Sequence, residues 1–363
     1  MKKSSMLLLK LSGIFILLVI IYLILVIIYA QTNNYDPEPK SKAEDINIYT
    51  NPIQQDTFVF YTWNIGYCGL GAESSFFFDS PNPIKQFVYP FEVQVRPSSQ
   101  TVQKNIMGVL STVRDWASDA DFIALQEVDI DSRRSYGNNE LRAVSQVLTN
   151  YNFSFGKNYD VNFVPFPLLK PMGGVLGGIA TFSRFSFQQT PTRYSFPGSF
   201  PWPKKLFFLD RCFVEHRFNV KNGKQLVLLN THNSAFDGGV LKVQEMAYLK
   251  QYLLKEYEKG NYVVVGGDWN QIPPGYQPKS KESGYEELPI AIDFLPSDWK
   301  FAFDKNTPTN RKVDEPYDAA STYTTVIDYF LLSPNIELTH VNGIADGFAY
   351  SDHQPVRMSF RLK

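Results

Sequence analysis

From Leu11 to Ala30 the chain reads LSGIFILLVIIYLILVIIYA, 20 residues that no charge interrupts. As a helix rising about 1.5 Å per residue, this run spans roughly 30 Å, the thickness of a hydrocarbon core. It has no polar face to show water, which excludes an ordinary core helix. It is also longer than the roughly 7–15 apolar residues of a secretory signal, and Ile28-Tyr29-Ala30 puts a large residue where cleavage needs a small one. The pattern predicts an uncleaved transmembrane signal anchor over 11–30. Lys2, Lys3 and Lys10 precede the run, whereas Asp36 and Glu38 follow it. That asymmetry leaves residues 1–10 in the cytoplasm and the body on the far side of the membrane. Residues 31–56 are polar, contain Pro37, Pro39 and Pro52, and show no apolar period, so they predict a flexible linker.

At Thr57 the pattern changes. TFVFYTWNI, residues 57–65, is β-branched and aromatic and predicts a strand, followed by a turn rich in glycine at Gly66, Gly69 and Gly71. Over 99–118, Val102, Ile106, Val109, Leu110 and Val113 recur at helical spacing behind a Ser98 or Ser99 cap. Further helices are predicted over 139–148 and 239–258. Strands are predicted over 121–125, 176–182, 206–220, 225–230, 261–266, 326–332 and 356–362, with Asn222-Gly223 as a hairpin turn. Several of these strands are apolar on both faces. The chain therefore reads as one α/β domain, 57–363, with sheets covered by helices.

Composition narrows the partners. Without the three anchor lysines, 32 basic residues stand against 36 acidic ones, which is not the charge of a broad nucleic-acid-gripping face. Cys68 and Cys212 have neither metal-ligand nor redox spacing and read as ordinary semi-buried thiols, bridged only if the fold brings them together. Nothing calls for an obligate protein partner.

The candidate chemistry collects at predicted strand ends. Trp63-Asn64, Leu125-Gln126-Glu127-Val128, Asn230-Thr231-His232, Gly267-Asp268-Trp269-Asn270 and Ile327-Asp328-Tyr329 follow one another. A loop then carries Ser351-Asp352-His353-Gln354-Pro355. Phosphoester hydrolysis needs a hard cation, a base for water and donors for the developing charge. Carboxylate and amide oxygens from Glu127, Asp352, Asp268, Asn64 and Asn270 suit Mg²⁺. His232 and His353 can carry protons near neutrality. The remaining histidines, His216 and His340, lie outside every motif and read as structural.

In this order the motifs resemble the endonuclease/exonuclease/phosphatase superfamily, over about Thr57 to Lys363. Residues 178–184 (GIATFSR) and 308–311 (PTNR) are similar to further family segments. The resemblance implies a four-layered α/β sandwich, two mostly antiparallel sheets flanked by helices, here preceded by one transmembrane helix. It implies Glu127 as principal metal ligand with Asn64 and Asp352 beside it, and Mg²⁺ as the ion, with Mn²⁺ as substitute. Asp268 would orient or deprotonate the attacking water and Asn270 hold the phosphate. His353 would contact the scissile phosphate with Asp328 fixing its tautomer. His232 matches a second histidine of the deoxyribonuclease and sphingomyelinase branches, though no carboxylate partner for it is evident.

These motifs act on a phosphate and leave the rest of the substrate open. The aromatic stretches 76–91 and 196–208 and the pair Arg133-Arg134 are candidates for choosing it. An anchored enzyme facing outward makes a phospholipid or sphingolipid phosphodiester the first expectation and a nucleic acid the second. An inactive membrane scaffold would be marked by loss of a metal or phosphate residue, and none is lost.

Overall fold

The computed structural model describes residues 2–235, 237–278 and 288–363. Helix α1 (Lys2–Thr32) contains the apolar run, and its Met6–Thr32 stretch is long and apolar enough to cross a membrane. The strands begin with β1 (Lys40–Lys42), β2 (Glu44–Ile46), β3 (Thr57–Asn64), β4 (Phe122–Asp129) and β5 (Asn152–Val164). They continue with β6 (Gly173–Ser183), β7 (Thr192–Ser195), β8 (Cys212–Asn219), β9 (Gln225–His232) and β10 (Tyr262–Asp268). Last come β11 (Lys300–Ala302), β12 (Asn310–Arg311), β13 (Thr324–Thr325), β14 (Asp328–Leu332), β15 (Ile336–Gly343) and β16 (Val356–Leu362). The other helices are α2 (Pro83–Phe87), α3 (Ser99–Trp116), α4 (Glu140–Val147) and α5 (Val240–Glu258).

Two seven-stranded mixed sheets result, ordered β1-β7-β8-β9-β10-β14-β11 and β15-β16-β3-β4-β6-β5-β2. The expected four layers are present. Alternation along β3 explains the stacking: Phe58 and Phe60 point to the other sheet and meet Phe330 and Leu228, whereas Tyr61 and Trp63 pack beneath α3 and α4. On β10, Val264 faces the inner core and Val263 and Val265 face α5 through Leu249 and Leu253. Each fully buried ring or branched side chain of this kind contributes roughly 1.5–3 kcal/mol. Ser98 caps α3 by accepting from Thr101 N, as its position predicts.

Three expectations need correction. Residues 31–56 do not remain free of the body, because β1 pairs with β7 and β2 pairs with β5. Edge pairing runs through main-chain groups and needs no apolar period, so the polar composition concealed it. The strand expected over 206–220 begins only at Cys212, and Lys204–Phe207 form a 3₁₀ turn. The 13-residue strand β5 had no counterpart in the expected set. Cys68 and Cys212 are both buried free thiols.

His216 lies between the sheets, its Nε2 2.7 Å from Ser154 Oγ and its Nδ1 3.2 Å from Leu228 O. Burial pushes its pKa down to about 3. The folded value lies below the unfolded one, so the neutral ring's stability is intact above pH 6.5 and is lost as pH falls toward 3. Between pH 7.5 and 5 the His216→Gln protein should lose about 2 kcal/mol less stability than wild type. Unfolding midpoints in detergent at the two pH values check this; equal losses would contradict it.

Candidate active site

Strand pairing alone collects the motif residues. The parallel pair β3 and β4 sets Asn64 opposite Gln126, and the parallel pair β9 and β10 sets His232 opposite Asp268. Antiparallel β14 begins where β10 ends, so Asp328 lies opposite Asp268. β16 starts beside the end of β3, which delivers the preceding loop with Asp352 and His353 to the same place. Beneath the site a buried polar seam ties the sheets together. Gln126 Nε2 donates to Asn230 Oδ1 at 2.7 Å, and Asn230 Nδ2 donates to Ala180 O at 2.9 Å.

The backbone is bent to aim these groups. Glu127 sits at a β-bulge between Leu125 and Val128, at φ 53°. The bulge turns its carboxylate into the cleft, at a left-handed conformation that non-glycine residues rarely hold. Asn270, at φ 48°, is held by bonds from its N to Asp268 Oδ1 and from its Nδ2 to Asn233 O. At Gly66, φ 51°, a Cβ would come within 2.7 Å of Asp352 Oδ1, so the close approach of this turn to the carboxylate requires glycine.

Asp268 is the hub. Its Oδ2 accepts from Asn64 Nδ2 at 2.9 Å and lies 3.5 Å from His232 Nε2 and 3.9 Å from His353 Nε2. His353 Nδ1 is 2.8 Å from Asp328 Oδ2, and Asn310 Nδ2 lies 3.0 Å from its Nε2. Thr309 Oγ accepts from the backbone N of both Ile327 and Asp328, which fixes the carboxylate's strand. Glu127 Oε1 is 3.9 Å from His232 Nε2. All eight predicted residues thus converge. Glu127, Asp268, Asn270, His232, Asp352 and His353 line a single cleft, while Asn64 and Asp328 are buried behind Asp268 and His353.

The two histidines are in opposite electrostatic settings. Burial disfavours the His353 cation, but Asp328, Asp352 and Asp268 outweigh it and hold the pKa well above the ordinary value. Asp328 itself is pushed up to about 6 by burial, with His353 pulling the other way, so the pair shares a proton held mainly on the imidazole. His232 is driven well below the ordinary value by burial and then by Arg211, His353 and Arg134. It is a neutral ring whose Nε2 contacts Arg211 Nη1 and whose Nδ1 has no hydrogen-bond partner among the described residues.

Burial also pushes Asp352 up to about 7, Glu127 adding to the effect. Buried carboxylates crowded in this way are relieved by a bound cation. The donors are hard oxygens, the set a divalent ion such as Mg²⁺ prefers. Asp268, Asp328 and His353 also place one ligand atom each within 4.8 Å of one another.

Sequence reading missed three contributors. Arg211 and Asn310 touch the two histidines, and Arg311 lines the cleft. Arg134 also lines it, pairing with Asp129 at 2.9 Å and stacking 3.8 Å over Tyr67; Arg133 does not reach the cleft. Asn310 and Arg311 fall in the segment 308–311 already noted, and Arg134 in the basic pair. Arg211 carries no local signal.

A model of the endonuclease/exonuclease/phosphatase family matches residues 61–353. The chain belongs to this family. It is a hydrolase of ester bonds, like the phosphoester-hydrolysing enzymes of that family, which depend on divalent metal. Solved structures agree on the fold. An endonuclease/exonuclease/phosphatase protein from Beutenbergia cavernae is 16% identical, with TM-score 0.55, over 85% of this chain and 72% of its own. TDP2 of D. rerio, solved with a single-stranded DNA product, is 13% identical, with TM-score 0.51, over 84% of this chain and 99% of its own. ANGEL2, described as a 2',3'-cyclic phosphatase, is 15% identical, with TM-score 0.52, over 89% of this chain and 98% of its own. Comparison with curated proteins returned no match.

Proposed function

We propose that this family member is anchored by α1 with its body outside the cytoplasm and cleaves a phosphodiester of a membrane phospholipid or sphingolipid, with Mg²⁺ as its ion. One observation carries the substrate class. The cleft has a polar floor and an aromatic wall, formed by Phe76, Phe77, Phe78, Phe166, Phe200, Phe207 and Phe208 with Met172. Such a wall suits an apolar group attached to the phosphate on the floor.

Glu127, Asp352 and Asn64 are the proposed oxygen ligands. The bound ion would neutralise charge on the phosphate oxygens and polarise the phosphorus centre. Asp268 is held by Asn64 and orients the attacking water, taking its proton. The His353 imidazolium, aligned by Asp328, donates to a phosphate oxygen as charge builds, and Asn270 supplies a second donor. His232 is neutral, so it holds Arg211 against the phosphate or the leaving oxygen rather than standing as a cation there.

A nuclease is the second reading, since aromatic rings also stack bases. The D. rerio TDP2 structure with its DNA product is the neighbour that favours it. The net charge of the body, 32 basic against 36 acidic residues, favours lipid. The test is a panel of sphingomyelin, phosphatidylcholine, phosphoinositide, plasmid DNA and RNA presented to the full-length protein under the same Mg²⁺. Lipid turnover well above nucleic-acid turnover is expected; selective DNA or RNA cleavage would replace the lipid reading with the second.

A further inference from the structure

The aromatic wall does not stop at the mouth of the cleft. Phe78 and Phe166 both touch Phe87, with ring centroids 6.3 and 6.2 Å apart, and Phe87 is 48% exposed. Leu168 N and Leu169 N donate to the carbonyls of Phe87 and Val88, which joins two loops into one surface where Leu169 is 69% exposed. On the other flank Phe208 packs on Phe200 at 4.8 Å, and Trp202 in that loop is 59% exposed. A contiguous apolar rim around a cleft marks a surface that meets something apolar.

Helix α1 indicates what that is. Ala30 is buried against Leu206 and Phe207, with Val26, Ile27 and Phe166 packed on the same cluster. Val26 precedes Ala30 by one helical turn, about 6 Å along the axis. The apolar run ends at Ala30. A helix crossing a bilayer therefore holds Val26 and Ile27 at the edge of the hydrocarbon, and the loop packed on this face lies at the same level. Trp202 Nε1 donates at 3.1 Å to Oε1 of Gln31, the first residue after the run. An indole there sits at the headgroup boundary, its preferred depth. Lys204 lies 3.7 Å over the Phe200 ring, and Lys205 is exposed beside it, the placement of a cation reaching up to lipid phosphates.

We infer that the segments 83–91, 166–170 and 200–208 seat in the leaflet from which α1 emerges, so that the cleft opens into its own membrane rather than into water. The inference rests on reading α1 as a membrane span and deepens the lipid proposal. Substrate enters sideways, with its chains along the aromatic wall and its phosphate at the floor.

The test uses the full chain in vesicles of phosphatidylcholine brominated at either shallow or deep acyl positions. Trp63, Trp116, Trp269 and Trp299 are all less than 10% exposed, so Trp202 is the indole open to contact with lipid. Brominated lipid should quench part of the tryptophan emission, more from shallow than from deep bromines, and Trp202→Phe should remove that part. Quenching unchanged by Trp202→Phe would overturn the docking. A second variant, Phe87→Ser with Leu169→Ser, should lower turnover of vesicle lipid about tenfold while leaving a soluble phosphodiester dye unaffected. Equal rates on vesicle lipid for variant and wild type would contradict it. Quenching without any lipid turnover would keep the docking and reject the lipid substrate; lipid turnover without quenching would do the reverse.

Discussion

Replacing Glu127 with glutamine is expected to lower phosphodiester hydrolysis by on the order of 10³, and what remains should no longer respond to EDTA. Glutamine keeps the shape and the bulge, so the change is one of charge. Glu127 projects from the bulge of β4 at φ 53° and stands 3.9 Å from His232, across from the buried Asp268 and Asp352. With three carboxylates the site attracts a divalent ion; with two it holds one poorly, because a hard cation gains most from ionised oxygens. A 10³ loss corresponds to about 4 kcal/mol of transition-state stabilisation, within what a bound cation supplies. The check is the rate of the variant and of wild type with Mg²⁺, with Mn²⁺ and after chelation. A variant within tenfold of wild type that still loses activity to EDTA would remove Glu127 from the metal site.

Asp328→Asn should cost roughly as much, near 10³ in kcat with KM little changed. Asp328 does not line the cleft, so it acts through His353, whose Nδ1 lies 2.8 Å from its Oδ2. An amide offers either an oxygen without charge or an N–H that forces the wrong tautomer. In either case the imidazolium proposed to meet the phosphate loses the partner that stabilises it against burial. The strand should survive, because the bond from the backbone N of Asp328 to Thr309 is left in place by the substitution. Thermal unfolding alongside the kinetics separates the two effects. A variant within threefold of wild type would show that His353 needs no orienting carboxylate.

Much of the site was legible because it is made at strand ends. A buried strand announces itself by composition, and the polar residue that ends it has few structural reasons to be there. Glu127, Asp268 and His232 each close an apolar run, and strand pairing then sets His232 and Asp328 opposite Asp268. What was not legible depends on contacts distant in sequence. Arg211 sits just before β8 with no periodic signal, yet it lies against His232 because β8 and β9 pair Cys212 with His232. Strand β5 hid because Lys157 interrupts its apolar phase and Gly156, Asn158 and Asp160 have poor strand propensity, while its neighbour β6 supplies the register. Phe207 and Phe208 looked like strand residues by propensity. Flanking prolines and the contact with Ala30 made them a turn and a cleft wall instead.

The most direct test is a metal titration. Full-length protein in detergent is stripped with chelator, and hydrolysis of a bis-phosphodiester dye is followed as Mg²⁺ is restored. The rate should rise from background to a plateau in wild type and stay at background in Glu127→Gln and in His353→Ala. Turnover that is independent of added metal, or that persists unchanged in both variants, would contradict a metal-dependent phosphoesterase built on these residues.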